Sequence, residues 1–337
     1  MKRNVLTKLA LVLLMISVVL VGCAPQQAVQ PPPTTGQPTT PPTGQPTTPP
    51  PAQQFKIGIN NFGQANFFAR IGRDAMMDEI TKLGGQVIST VTANVPDRMR
   101  AIEDFIAQGV NAIIIQEGDI NLVAPALQEA RRRGIIIASM DAGIAEFVDV
   151  VVQSNNPALG SKAAMHLMTL MGGRGEVVEI YNDLGQMIRK RRRALHAVIA
   201  EFPAAEITAG IVYAWPDFFP DVKSKMEAIL QANPTPGEIR GVFATFDGAG
   251  VAAASAIREA GLQNYIVVVG IDGDPEAFKE MRRPDSPFKA TVAQDPDTIA
   301  RIAVRRTFDL LNGKTLATRW FHVPGILITK DNLPPGE

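Results

Sequence analysis

Short apolar runs alternate with longer amphipathic stretches along the chain from Phe55 onward. The apolar runs are rich in Val and Ile, which is typical of strands buried on both faces of a parallel sheet. The pattern predicts strands at Lys56–Asn60, Gln86–Val91, Ala112–Gln116, Ile135–Met140, Val148–Gln153, Glu176–Tyr181, Ile207–Tyr213, Gly241–Thr245, Ile266–Ile271 and Lys289–Ala293.

The stretches between these runs repeat their apolar residues with helical spacing, and a glycine follows several of them, as at the ends of helices. We predict helices at Phe68–Leu83, Pro96–Gln108, Asn121–Arg133, Pro157–Met171, Arg189–Glu201, Pro220–Gln231, Ala249–Ala260 and Pro296–Leu311. Alternating strands and helices require right-handed crossovers and a parallel sheet that is covered on both faces. These strand–helix units are more numerous than one doubly wound sheet usually contains. A closed eightfold barrel is the alternative architecture, because it is built from similar units.

Polar and aromatic side chains follow most of the predicted strands. They are Asn60, Asn61, Gln116, Glu117, Asp141, Tyr181, Asn182, Asp183, Trp215, Phe246, Asp247, Asp272 and Gln294. In open parallel sheets, ligands bind beyond the carboxyl ends of the strands. Unpaired carboxylates and amides at such positions are unfavourable unless they bind a ligand or cap the next helix.

The first 54 residues have a different composition from the rest of the chain. Lys2, Arg3 and Lys8 are followed by a short apolar stretch, Leu9–Val21, as in a secretory signal peptide. The Leu-Val-Gly-Cys sequence that ends at Cys23 resembles the lipobox of bacterial lipoproteins, which implies cleavage before Cys23 and its acylation. Residues 24–54 are almost all Pro, Thr, Gln, Gly and Ala, which predicts a disordered, membrane-proximal tether.

The overall composition narrows the function. A chain of 337 residues suits two lobes better than one core. Lys plus Arg and Asp plus Glu are balanced at 33 each, so no net charge attracts nucleic acid. With Cys23 as the sole cysteine, and His166, His196 and His322 far from any zinc-ligand spacing, we predict no disulfide within the chain, no metal site and no cofactor.

The strand-end residues, in this order, resemble the ribose-binding branch of the type I periplasmic binding proteins, over about Phe55–Asn332. The most specific segments are Val268–Pro275 and Ala290–Pro296. The resemblance implies an α/β fold of two similar doubly wound parallel-sheet lobes joined by three chain crossings, and it argues against a barrel. It places residues 55–154 and 295–324 in the N-terminal lobe, and residues 155–294 and 325–332 in the C-terminal lobe.

The resemblance also implies a set of ligand-binding residues between the lobes. Phe67 and Phe68 match the family's stacking pair, Asp141 and Asp272 its hydroxyl-binding aspartates, and Arg189 its ligand-binding arginine. The complete candidate set is Asn61, Phe67, Phe68, Asp141, Arg189, Trp215, Asp217, Phe246, Asp247, Asp272 and Gln294.

Three departures from the family's pattern replace polar groups by apolar ones. An asparagine expected before the stacking pair is Ala65, an arginine expected after Asp141 is Ala142, and an asparagine expected before Asp247 is Phe246. We therefore expect a ligand that is not simply ribose and that is less hydroxylated or differently shaped.

By this resemblance, the protein is a lipid-anchored, monomeric solute-binding protein that faces the periplasm or cell exterior. It would capture a monosaccharide or related polyol by hinge closure and deliver it to the permease of an ABC importer. A sensor that presents its ligand to a chemotaxis or signalling receptor, or a binder of a nucleoside or furanone signal, would use the same lobe closure.

Two other classes fit the sequence poorly. Repressors of the LacI type share the two-lobed core, but they carry a DNA-reading helix-turn-helix where this chain has a signal and a tether. A hydrolase would need a nucleophile with its base or two apposed carboxylates. No histidine follows a predicted strand and no nucleophile elbow is present, so we predict that the protein is not an enzyme.

Overall fold

A computed structural model describes residues 54–63 and 66–335 of the chain. The predicted signal peptide, Cys23, nearly all of the predicted tether and Ala65 lie outside these residues. Among the helices of the described part, none combines the length and apolar character needed to cross a membrane.

Strands and helices alternate through the described residues. The strands are β1 Lys56–Phe62, β2 Gln86–Thr92, β3 Ala112–Gln116, β4 Ile136–Met140, β5 Val150–Ser154, β6 Arg174–Tyr181, β7 Ala204–Val212, β8 Ile239–Ala244, β9 Val267–Asp272, β10 Phe288–Ala293, β11 Trp320–Val323 and β12 Ile326–Ile328. The helices are α1 Phe67–Lys82, α2 Val95–Ala107, α3 Ala124–Arg132, α4 Asn156–Met171, α5 Gln186–Ile199, α6 Phe218–Ala232, α7 Asp247–Glu259, α8 Pro275–Arg282 and α9 Pro296–Leu311.

The strands form two six-stranded sheets. The first sheet has the order β11-β5-β4-β3-β1-β2, and all of its strand pairs are parallel. The second has the order β12-β10-β9-β8-β6-β7, and it is parallel except for β12, which runs antiparallel to β10. Each sheet with the helices packed on it is called a lobe below.

Both sheets are buried on both faces, which explains the continuous apolar runs in the sequence. In the first lobe, α1 and α9 pack on one face, and α2 and α3 pack on the other. In the second lobe, α4 and α5 cover one face, while α6, α7 and α8 cover the other. Two doubly wound lobes therefore confirm the predicted fold class.

The chain passes between the lobes at three places. It crosses from β5 of the first sheet to α4 of the second lobe, from β10 to α9, and from β11 to β12. The sequence pattern did not predict α8, β11 or β12, because all three are short and none has a long apolar run.

Asparagine and aspartate side chains begin several helices that follow these strands. Asn66 Oδ1 accepts a hydrogen bond from Ala69 N at 2.6 Å, and Asn155 Oδ1 accepts one from Ala158 N at 3.3 Å. Asp295 does the same for Thr298 N at 2.9 Å. Each of these caps satisfies a backbone N–H that has no partner within its helix.

Candidate functional site

The carboxyl ends of the two sheets border a cavity between the lobes, with a volume of about 70 Å³. A buried water occupies roughly 10–15 Å³ of such a volume, so the cavity fits only a small solute. Apolar and aromatic residues supply half of its wall: Phe62, Phe68, Leu184, Met187, Ile188, Tyr213, Trp215 and Phe246. Polar residues and glycines supply the rest: Asn66, Glu117, Gly118, Asp141, Asn182, Gly185, Arg191, Asp272 and Gln294.

The two lobes contact each other beside this cavity. The side-chain amide of Gln186, at the start of α5, accepts a hydrogen bond from Ile144 N at 3.0 Å and donates one to Ile144 O at 3.1 Å. Arg189, also on α5, forms an ion pair with Asp119 of the first lobe. The structure therefore represents a closed arrangement of the lobes.

Three carboxyl groups converge in the wall of the cavity. Glu117 follows β3 and Asp141 follows β4, while Asp272 ends β9 on the opposite side. Burial, together with repulsion from Asp141 and Asp272, raises the pKa of Glu117 to about 8. Burial also raises the pKa of Asp141 and that of Asp272, although Arg191 lowers the pKa of both.

Arg191 is the cationic residue of the wall. Its Nη1 donates to Thr245 O at 2.8 Å and lies 3.3 Å from Asp272 Oδ1, and its Nε donates to Asn156 Oδ1 at 2.8 Å. The same Asn156 donates from Nδ2 to Asp141 Oδ1 at 3.0 Å. Asn156 therefore links Arg191 of the second lobe to Asp141 of the first.

Two buried oxygen atoms in the wall have no hydrogen-bond partner within the described residues: Glu117 Oε2 and Gln294 Oε1. The nitrogen of the Gln294 amide is engaged, since it donates to Asp272 Oδ1 at 2.6 Å. Unsatisfied buried acceptors are unfavourable and uncommon in native proteins. Both atoms are therefore available to bond a molecule that enters the cavity.

Aromatic rings form a packed group on the second-lobe side. The Phe246 ring lies 4.9 Å from that of Tyr213 and 4.8 Å from that of Phe218, measured between centroids. Phe218 in turn stacks on Trp215 at 5.8 Å. This mutual packing holds Trp215 and Phe246 at the cavity, where their faces can contact the C–H groups of a ligand.

Six of the predicted binding residues line the cavity: Phe68, Asp141, Trp215, Phe246, Asp272 and Gln294. Five do not: Asn61, Phe67, Arg189, Asp217 and Asp247. For the six, a role in ligand binding stays a prediction that their shared location supports.

Arg189 lies at the surface beside the cavity, where it binds Asp183 at 2.8 Å and pairs with Asp119. Arg191, two residues further along α5, lines the wall in its place. Successive helical residues are about 100° apart, so positions 189 and 191 point in very different directions. Because residues 189–193 are all basic, the sequence did not indicate which of them faces the cavity.

Asp247 has a local structural role. Its Oδ2 accepts hydrogen bonds from Gly273 N at 2.8 Å and Asp274 N at 2.9 Å, and its carboxylate also accepts from Thr291 Oγ1. These bonds fix the loop that follows Asp272. The amide nitrogen of Asn61 is engaged, because it donates to Gln116 Oε1, whereas its Oδ1 is buried outside the wall without a partner among the described residues.

Phe67 and Asp217 both lie at the start of a helix and outside the wall. Asp217 is exposed and directly precedes α6, without forming a side-chain cap. Phe67 is partly exposed, whereas Phe68, one residue further along α1, lines the wall.

Other residues of the wall were not in the candidate set. Glu117 and Asn182 were among the polar residues that follow predicted strands, so their positions in the sequence already indicated that they could lie near the cavity. Asn66 was not among the candidates, because the asparagine that the family has before the stacking pair corresponds to position 65, which is an alanine in this chain. Asn66 caps α1, and its Nδ2 donates to Glu117 Oε1 at 3.3 Å.

The acids of the wall do not form a metal-binding group. Within residues 54–63 and 66–335, no group of His, Cys, Asp and Glu side chains is arranged to hold a metal ion. The wall instead combines aromatic faces with hydrogen-bonding groups, as in sites for small polar organic molecules.

The chain is similar to several known proteins. A sequence profile described as a periplasmic binding protein domain matches residues 57–315. The chain is 28% identical to the ribose import binding protein of Bacillus subtilis, over 78% of this chain and 83% of that protein. It is 25% identical to a xylitol-binding protein of Mycolicibacterium smegmatis, over 82% of this chain and 78% of that protein.

A solved structure shows the same likeness in three dimensions. An ABC transporter solute-binding protein from Agrobacterium vitis with bound allitol superposes with a TM-score of 0.79. It is 29% identical, and the match covers 83% of this chain and 97% of that one.

Proposed function

Because this chain belongs to the periplasmic binding protein family, we propose that it binds a small polyol or monosaccharide in the interlobe cavity and delivers it to an ABC importer. The family acts outside the cytoplasm as solute-binding components of importers. Relatives and structural neighbours are named for ribose, xylitol and allitol, which are all small polyhydroxylated molecules.

A single observation carries the proposal: buried side-chain oxygens from both lobes face the interlobe cavity without partners among the described residues. Glu117 Oε2 belongs to the first lobe, and Gln294 Oε1 lies at a crossing between the lobes. Hydroxyl groups donate to such acceptors, and the C–H faces of a polyol pack against rings such as those of Trp215 and Phe246. A ligand that satisfies both lobes at once stabilises the closed state.

The proposed ligand is not ribose. Ala142, which follows Asp141, is fully buried and offers no donor where ribose binders have an arginine. Phe246 replaces an amide by a ring in the wall. Both differences favour a ligand with more apolar surface or fewer hydroxyls than ribose.

We further propose that the protein is a lipid-anchored monomer and that it does not catalyse a reaction. Cys23 would carry the lipid at the membrane end of the Pro- and Thr-rich segment. Radiolabelled palmitate should label the wild-type protein in cells and fail to label Cys23→Ser. Equal labelling of both forms would exclude the anchor at this position. The ligand should be recovered chemically unchanged after long incubation.

The test of binding uses the full chain carrying Cys23→Ser and a panel of pentoses, hexoses, their alditols and nucleosides. A true ligand should raise the melting temperature with the logarithm of its excess and give a saturable calorimetric signal. Asp272→Asn should weaken that binding at least tenfold. The matched control Asp104→Asn, at an exposed position of α2, should leave binding unchanged. If no sugar or polyol binds, the proposal is wrong.

A further inference from the structure

The wall of the interlobe cavity holds more acidic than basic groups. Three carboxyl groups line it, from Glu117, Asp141 and Asp272, against one guanidinium, from Arg191. Two of the acids come from the first lobe and one from the second, so closure brings acidic groups together. Their mutual repulsion contributes to the raised pKa of Glu117.

Other cations lie nearby, but they do not line the cavity. Arg98 donates from Nε to Asn60 Oδ1 at 2.6 Å and from Nη1 to Glu117 O at 2.8 Å, and its Nη2 donates to the Gln116 carbonyl. Its donors are therefore directed at amide and carbonyl oxygens behind the wall. Lys190 is partly exposed and interacts with Asp141 at longer range, without an ion pair within the described residues.

Glu117 itself is held in place by its backbone. Its N–H donates to Met140 O at 3.0 Å, its carbonyl accepts from Arg98, and its φ of 53° lies in the left-handed region that few non-glycine residues adopt. Side-chain Oε1 receives a weak hydrogen bond from Asn66 at 3.3 Å, and Oε2 is buried without a partner among the described residues. This strained backbone directs an incompletely satisfied carboxyl group into the cavity.

Asp272, on the other side, is also incompletely satisfied. Both of its side-chain hydrogen bonds go to Oδ1, from Gln294 and Arg191, which leaves Oδ2 without a bond to the described residues. A neutral polyol donates one hydrogen per hydroxyl and supplies no charge. An ammonium group donates three hydrogens and a positive charge.

The aromatic part of the wall suits the same kind of group. Phe62, Trp215 and Phe246 present rings to the cavity beside the acids. Ring faces attract cations, most strongly where water is excluded. Buried carboxylates and aromatic faces thus favour a ligand with a positive charge.

We propose that the ligand is a polyol or monosaccharide that carries one protonated amino group, and that Glu117 accepts hydrogen bonds from that ammonium. This inference rests on the proposed function, because it specifies the chemistry of the same cavity. Asp141 and Asp272 then accept from the ligand's hydroxyl groups, and Glu117 is a specificity-determining residue.

Calorimetry on matched pairs tests this inference, each pair differing in one amino for one hydroxyl group. Glucosamine with glucose, galactosamine with galactose, and an amino-deoxy pentitol with its pentitol are suitable pairs. In at least one pair, the amino compound should bind the wild-type protein tenfold or more tightly than its neutral counterpart. Glu117→Gln should remove that preference, by weakening the amino compound at least tenfold more than it weakens the neutral one.

The control Glu103→Gln removes the same charge from an exposed position of α2 and should keep the preference. Thermal unfolding of Glu117→Gln checks that the variant is folded, and retained binding of the neutral compound checks that its cavity is intact. If neutral polyols bind tightest and Glu117→Gln leaves every pair unchanged, this inference is wrong while the proposed function stands. If no member of any pair binds, this inference is wrong, and binding of any other sugar or polyol of the wider panel still supports the proposed function.

Discussion

Arg191 and Asp272 face each other inside the second lobe, with 3.3 Å between Arg191 Nη1 and Asp272 Oδ1. Their side chains are only 3% and 10% exposed, so the charges are compensated mainly by each other and by hydrogen bonds to protein groups. Arg191 comes from α5 and Asp272 from the end of β9. The contact therefore couples the stability of the lobe to the geometry of its ligand wall.

Removing the arginine from this pair should affect both stability and binding. Arg191→Met keeps an unbranched side chain but leaves Asp272 buried without its cation, which typically destabilises by about 3–5 kcal/mol. We expect a loss of that size in the free energy of unfolding, measured by denaturant titration, and no detectable ligand binding. Arg193→Met, at an exposed position of the same helix, should change stability by less than about 0.5 kcal/mol. A fully stable, binding-competent Arg191→Met would contradict the importance of the pair.

The contact between Gln186 and Ile144 should set the lifetime of the closed state. Gln186→Ala removes two hydrogen bonds between the lobes, each worth about 0.5–1.5 kcal/mol. Ligand dissociation, followed by stopped-flow fluorescence, should therefore accelerate roughly tenfold. Gln128→Ala, at an exposed position of α3, should leave the rate unchanged. An unaltered dissociation rate in Gln186→Ala would mean that this contact does not hold the lobes together.

Gly63, which directly follows β1, lies close to Trp215 of the second lobe. A Cβ atom on Gly63 would lie 3.2 Å from the Trp215 ring, and the residue has a φ of +79°. Gly84 has a φ of +76° but open space around its position. Alanine at either site should cost about 1 kcal/mol of stability from backbone strain alone.

Only Gly63→Ala should also disturb closure, because its methyl group meets Trp215. We expect several-fold weaker ligand binding for Gly63→Ala, and wild-type affinity for Gly84→Ala, both measured by calorimetry. Equal affinities of the two variants would show that closure tolerates the extra methyl group.

The raised pKa of Glu117 predicts a pH dependence of binding. In the closed protein this carboxyl group keeps its proton up to about pH 8, whereas a glutamate in water has an ordinary pKa of 4.5 and is ionised above it. If the group faces solvent in the open form, closure around a neutral ligand takes up a proton between these pH values. The affinity for that ligand should then fall as pH rises, by at most about tenfold per unit for this group.

An ammonium-bearing ligand should show no such dependence below the pKa of its own amino group, since its charge favours the ionised carboxylate. Calorimetry at pH 6, 7, 8 and 9 with one matched pair measures both behaviours. Glu117→Gln should flatten the profile of the neutral compound. A profile for the neutral compound that is already flat in the wild-type protein would contradict a raised pKa at this position.

Much of the fold could be predicted from the sequence, because burial on both faces leaves continuous apolar runs in parallel strands. Each predicted strand is present, and residues that follow the strands, such as Asp141 and Gln294, line one cavity. Strand ends in such sheets point to a common edge, so location along the chain was enough to select them.

The sequence pattern could not show which of two nearby residues lines the cavity. Arg189 and Arg191 have the same chemistry, and the orientation of α5 alone determines that position 191 faces the cavity. Asp247 looked like a ligand-binding acid, but Thr291 and two backbone N–H groups from other segments bind it. Contacts of this kind join residues far apart in the chain and leave no local signal.

The sequence by itself determined the alternation of strands and helices, the two lobes and the set of polar strand ends, because these depend on local periodicity. Only the tertiary structure decided which of those polar groups are satisfied by the protein and which remain available to a ligand. Glu117 is the clearest example: its Oε2 is buried at the cavity without a partner among the described residues, and the closure of the lobes there depends on contacts between distant segments.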